Sequence, residues 1–408
     1  MPETQRHAPT LPFIRTRIAL GLLLLSCVSA YTTAQSGGSF SGIAPAMQAF
    51  VDKGEAAGVV TLIATKDRVL HLAAVGRTDL TKNRAMRTDD IFWIASMTKP
   101  IVAVSLGILV DEGKLQFDDP LERHLPEFAG LRVAENGQLT APLRKVTVRD
   151  VLTHTSGFAE LNNRAPHLTL AETSRQFAAL PLRSQPGTRW SYSTSGIDIL
   201  GRVVEVASGL PFDKFLQARV FGPLGMTDTS FWITPKTEAR WARPYQWLPD
   251  ESRLRETTIS YMHGTEVTDG QRPPLGGAGL FSTAEDIARV YQMMLNHGSW
   301  KGRRVLKEAT VVEMTRKQTG DLPARPGMPW GLGFCVVEDP TAMEANNVLS
   351  PGSFGHGGAY STQSWADPTK GIVWVLMFER TGKGNGDNSD VRIAFQHAAG
   401  SALAALAK

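Results

Sequence analysis

The sequence predicts an α+β fold: one antiparallel sheet built from strands at both ends of the chain, a helix at each end to cover it, and a mostly helical insertion between. Three observations carry this. β-rich apolar runs occur near both ends, the middle breaks into capped helical segments, and no repeat or Pro/Ser-rich linker divides the chain. Of 408 residues, 42% are apolar and 20% charged, which excludes wholesale disorder. A formal net charge of +4 is too small to argue for a nucleic-acid partner. Two cysteines exclude a disulfide-rich scaffold and a multi-cysteine zinc site.

Residues 1–34 have the layout of a signal peptide. Arg6, Arg15 and Arg17 precede the apolar run from Ile18 to Val28, and small residues follow, with cleavage expected after Ala30 or Ala34. That run is shorter than the roughly 20 residues of a membrane span, so no stable span is expected once the signal is removed. The expected location is periplasmic or extracellular. Leu24-Leu25-Ser26-Cys27 loosely resembles a lipoprotein box, which makes Cys27 the candidate lipid anchor of a competing lipoprotein reading.

Residues 35–408 form the expected functional domain, with an α/β part over about 40–95 and 310–408 and a helical part over about 96–309. Ile43, Met47, Phe50 and Val51 recur at helical spacing. Gly58 to Thr65 and Val69 to Val75 flank Lys66-Asp67-Arg68, a hairpin signal. Thr147 and Thr169 are candidate helix caps, and Ser208-Gly209 ends a helix over Ile197 to Ala207. Two strands are expected at Ala359 to Ala366 and Ile372 to Phe378, then a terminal helix from Asp390 to Ala407. Cys335, in Gly-Phe-Cys-Val-Val, reads as a buried strand residue rather than a nucleophile.

The chemistry centres on Ile94-Ala95-Ser96-Met97-Thr98-Lys99-Pro100, which opens an apolar run ending at Asp111-Glu112-Gly113. Pro100 belongs in a first helical turn, which puts the helix start near Ser96 and Lys99 on the same face, one turn on. A serine hydroxyl needs a base, and an amine serves only if burial brings its pKa well below about 10.4. Two further segments join it. Trp190-Ser191-Tyr192-Ser193-Thr194-Ser195-Gly196 stands directly before a helix, and Phe354-Gly355-His356-Gly357-Gly358-Ala359-Tyr360 is expected to lead into a strand. Paired glycines there would let a ligand approach the backbone, and the next N–H, with that of Ser96, could face an oxyanion.

Ser96-x-x-Lys99, Tyr192-x-Thr194 and His356-Gly357-Gly358, in that order, resemble the serine β-lactamase and penicillin-binding-protein superfamily, closest to class C β-lactamases, DD-carboxypeptidases and family VIII carboxylesterases. Asp118-Asp119-Pro120-Leu121, Leu152-Thr153-His154-Thr155-Ser156-Gly157 and Gly276-Gly277-Ala278-Gly279 add to the likeness across about residues 40 to 400. The resemblance implies a β-lactamase/transpeptidase-like fold and a covalent cycle. Ser96 would attack a carbonyl, Lys99 and Tyr192 would handle protons, and the N–H groups of Ser96 and Ala359 would form the oxyanion hole. Thr194, His356, Gly357 and Gly358 would bind a small ester, amide or lactam. No cofactor or metal is implied.

Two departures bear on the substrate. Where the family's third motif carries Lys-Thr-Gly, this chain has His356-Gly357-Gly358, replacing a permanent cation with a mostly neutral imidazole. Thr194 stands where an Asn is usual. Both favour a neutral ester. D-Ala-D-Ala peptides or β-lactams are the alternative, and a penicillin-binding sensor without turnover is a reading of another class. The nine histidines include no H-E-x-x-H, there is no G-x-S-x-G elbow, and His154 reads as a turn or core residue. Trp190, Trp330 and Trp365 either line a pocket or pack a core.

Overall fold

Seven strands run in the order Cys335–Val336, Phe354–Gly357, Gln363–Asp367, Ile372–Phe378, Gly58–Thr65, Val69–Asp79 and Arg84–Ala85, every neighbouring pair antiparallel. The computed structural model describes residues 40–161, 164–343, 348–384, 386 and 389–406. The leader at 1–34 and Cys27 lie outside the described residues. Thr32–Lys408 clusters as one unit.

The two ends of the chain meet at the sheet centre, where Val59 pairs with Phe378 and Thr65 with Ile372. Both central strands are buried along nearly their whole length, so they read as continuous apolar runs rather than as an alternation. Side chains still alternate between faces. Val59, Ile63, Trp374 and Leu376 join Ile43 and Met47 of the helix Ile43–Asp52 and Phe395 of the helix Asp390–Leu406. Val60, Leu62, Val373 and Val375 face the other way, into a core shared with the helix Ala284–Leu295 and the helical region. The result is a three-layer arrangement with the sheet in the middle.

The helix Thr98–Asp111 is the spine of the helical region, and every residue from Thr98 to Leu109 is buried. Burying each large aliphatic side chain stabilises the fold by about 1.5–3 kcal/mol, so this helix is anchored by its surroundings on all sides. Capping boxes at Thr147 and Thr169 start the helices Val148–Leu152 and Leu170–Ala178, as their sequences predict. Gly209, left-handed at φ 75°, ends the helix Thr194–Ser208. The middle is less uniformly helical than expected: a short pair joins Phe92–Trp93 to Phe281–Ser282, and a hairpin joins Tyr245–Leu248 to Arg253–Glu256.

One strand is corrected. Ala359 to Ala366 is not a single strand. Residues Ala359–Ser361 make a tight turn in which Tyr360 (φ 64°) and Ser361 (φ 78°) are left-handed, and the strand begins at Gln363. His356 and Gly357 therefore end the strand Phe354–Gly357 rather than opening the next one.

Candidate active site

Ser96 sits in a single turn of tight helix, Ala95–Met97, and the α-helix proper starts two residues later at Thr98. Pro100 is thus in the first turn, where its missing N–H costs no hydrogen bond. Ala95, just before the nucleophile candidate, is left-handed at φ 47°, a costly conformation for a residue with a Cβ. Its surroundings hold it there. Thr98 Oγ1 donates to the Ala95 carbonyl at 2.7 Å and accepts from the Leu280 N–H at 3.2 Å. The Ile94 N–H donates to the Leu280 carbonyl and the Trp93 indole to the Ala278 carbonyl. The two strips 92–98 and 278–282 are stitched together along their length.

Lys99 lies one turn on, fully buried, with Nζ 3.0 Å from Ser96 Oγ and donating to the Gly277 carbonyl at 2.7 Å. Burial lowers its pKa from 10.5 to about 7, against the opposing pull of Asp198 and Glu160 and with help from Arg325. Gly277 is held by Asp198, which accepts from its N–H at 2.7 Å and from the Tyr261 hydroxyl at 2.8 Å, and pairs with Arg164 at 3.3 Å. A Cβ at Gly277 would come within 2.4 Å of the Thr194 carbonyl, so only glycine permits this approach. Asp198, Tyr261 and Arg164 were not visible as site residues in the sequence, because their partners lie between 34 and 79 positions away.

Tyr192 completes the group. Its hydroxyl hydrogen-bonds to Ser96, and Lys99 Nζ stands 4.7 Å from its ring centroid. Burial raises its pKa above the usual phenol value, with the Ser96 hydrogen bond opposing, so it stays a protonated phenol at neutral pH. Glu160 accepts from the N–H groups of Thr194 and Ser195, capping the start of the helix that carries Thr194. Tyr192 and Thr194 border a cavity of about 430 Å³ whose wall also holds Glu160, Arg164, Tyr261 and His263.

The third motif is arranged differently from expectation. The His356 ring is buried against Tyr192 and Trp330, and its Nδ1 lies 2.6 Å from the Gly357 carbonyl. Burial, then the Lys99 charge, hold its pKa well below 6.5, so it is neutral. Its side chain therefore meets Tyr192 rather than open cleft. The space that a side chain would take at each of the paired glycines is filled by protein. A Cβ on Gly357 would collide with the Arg392 guanidinium, and one on Gly358 with the Ile94 carbonyl and Thr362 Oγ1. Arg392, on the terminal helix and 2% exposed, donates to the carbonyls of Gly358, Ser361 and Thr362. It fixes the turn that presents Ala359, and that turn packs against the Ser96 turn. The cation that faces Tyr192 comes from Arg325, stacked 5.8 Å from the Tyr192 centroid and 5.4 Å from that of Trp330.

Trp190 and Trp330 surround Tyr192, whereas Trp365 is a core residue of the sheet, paired across strands with Trp374. Cys335 is buried in the strand Cys335–Val336. Among the described residues there is no cluster of three metal-ligating side chains, and no helix is long and apolar enough to cross a membrane.

Residues 43–399 match the family model described as Beta-lactamase. Esterase EstB of Burkholderia gladioli is 32% identical over 349 residues, covering 78% of this chain and 85% of that protein. Lovastatin esterase of Penicillium rubens is 30% identical over 324 residues, 72% of this chain and 78% of its own. Among solved structures, EstCE1, described as a hydrolase with promiscuous acyltransferase activity, superposes with a TM-score of 0.75 at 24% identity over 89% of this chain and 98% of its own.

Proposed function

The chain belongs to the beta-lactamase family and is a serine hydrolase, and from that premise we propose that it hydrolyses small carboxylic esters through an acyl-enzyme on Ser96. The observation that carries this is the buried Lys99 amine, 3.0 Å from Ser96 Oγ and with a pKa near 7. Neutral Lys99 accepts the Ser96 proton as the hydroxyl oxygen attacks the ester carbonyl. Tyr192, still a phenol, donates to the leaving alkoxide and recovers a proton from Lys99. Two groups whose surroundings drive their pKa values in opposite directions divide base and acid between them. Water then attacks the acyl carbonyl and frees Ser96. The N–H groups of Ser96 and Ala359 stabilise the oxyanion, each such donor contributing about 100–1,000-fold in rate.

The preference for an ester is supported by the two esterases among the relatives. The alkoxide expelled from an ester is also a better leaving group than the nitrogen expelled from an unstrained amide. Residues 1–34 are taken as an export signal, which gives a periplasmic or secreted enzyme. Ser96→Ala should lower p-nitrophenyl butyrate hydrolysis at least about 1,000-fold with the fold intact by circular dichroism. Residual activity within tenfold would remove Ser96 from this role. Faster turnover of nitrocefin or a D-Ala-D-Ala peptide than of short esters would overturn the substrate assignment.

A further inference from the structure

His154 holds the Tyr192 segment through three contacts. Its carbonyl accepts from the Ser191 N–H at 2.8 Å, and its Nδ1 accepts from the Ser193 N–H at 3.2 Å, so one residue holds the backbone on both sides of Tyr192. Its ring lies against the Tyr192 ring, 4.4 Å between centroids, and meets Trp330 edge-on at 5.1 Å. To do all three it adopts a left-handed backbone, φ 60°, at 1% exposure. Such a conformation in a non-glycine residue persists only where its surroundings demand it.

The hydrogen bond to Ser193 settles the protonation state. Nδ1 accepts, so the ring proton is on Nε2, and a second proton on Nδ1 would break the clamp. Burial, then the charges of Lys99 and Arg325, oppose that second proton. The groups around Tyr192 are Lys99, Arg325, Glu160, Cys335 and His356, and His154 packs among them without adding a charge.

We propose that His154 is a positioning residue that sets the Tyr192 hydroxyl for proton transfer at Ser96. The inference rests on the Ser96 acyl-enzyme reading, and the test separates the two. A fluorophosphonate probe reports Ser96 reactivity by its labelling rate, whatever the natural substrate. His154→Gly keeps the left-handed backbone but removes the ring and the acceptor. It should slow both labelling and kcat for p-nitrophenyl butyrate about 100-fold, with KM held within about twofold, as expected when a reacting group moves by an ångström. Water admitted beside Lys99 relieves its burial, so the acid limb of the kcat/KM profile should move to higher pH. His154→Asn, which tolerates the same backbone and offers an oxygen to the Ser193 N–H, should recover at least about tenfold of the loss.

Thermal midpoints of both variants keep loss of folded protein out of the comparison. A glycine variant with wild-type kcat would overturn the proposal. So would a loss that asparagine does not restore and that leaves the pH profile unchanged. Failure of the wild type itself to label would instead remove the Ser96 reading on which the proposal stands.

Discussion

The two walls of the site are held by opposite means. On the Tyr192 side the parts are rings: Tyr192, His154, Trp190 and Trp330 pack in tilted and edge-on pairs, with Arg325 stacked on two of them. On the Ala359 side the parts are charge and carbonyls, three of them converging on the buried guanidinium of Arg392. A packed wall can relax around a trimmed ring. A wall built on a buried cation leaves unpaired carbonyls when that cation goes, and these cannot relax into anything favourable. The first should tolerate graded change and the second should fail at once.

The sharpest way to break this contrast is Arg392→Ala. It should lower kcat by about 100–1,000-fold, the loss typical of a misplaced oxyanion donor. It should also lower the thermal midpoint, because each unsatisfied buried carbonyl costs about 1–3 kcal/mol. Normal kcat at a lowered midpoint would mean that the turn holds its own shape. A smaller effect is expected from Tyr192→Phe, which keeps the ring packing and removes only the proton donor. Its kcat should fall about 100-fold with an unchanged thermal midpoint. A drop in the midpoint would show that the hydroxyl, and not the ring, carries this wall.

The mildest test is pH. Lys99 is buried with a pKa near 7 and must be neutral to act as base, so kcat/KM should rise with pH through about 7 and then level. The sign follows from a lowered amine pKa: the active form is present above it and lost below it. A profile flat across neutral pH would take Lys99 out of the rate-limiting proton transfer.

What could be read in advance follows the range of the interaction. Ser96 and Lys99 are three residues apart on a helix start, and the capping boxes at Thr147 and Thr169 are equally local, so sequence spacing carries them. The two central strands were legible because Gly58–Thr65 and Ile372–Phe378 are β-rich runs of strand length. Arg392 was not, since nothing in a terminal helix marks one arginine as pointing inward to three carbonyls. The turn Ala359–Ser361 was misread as strand for a related reason: Tyr360 has a strand-like identity, and only tertiary bonding holds it and Ser361 left-handed. Gly357 and Gly358 were singled out as places of close approach, and protein fills the space that a Cβ would take at each.

The rungs joining 92–98 to 278–282 have a mechanical consequence. Ser96, Lys99 and the Gly277 carbonyl ride on one double strip, so none of them is displaced relative to the others when the mouth breathes. Its footprint in solution would be slow amide exchange along the strip.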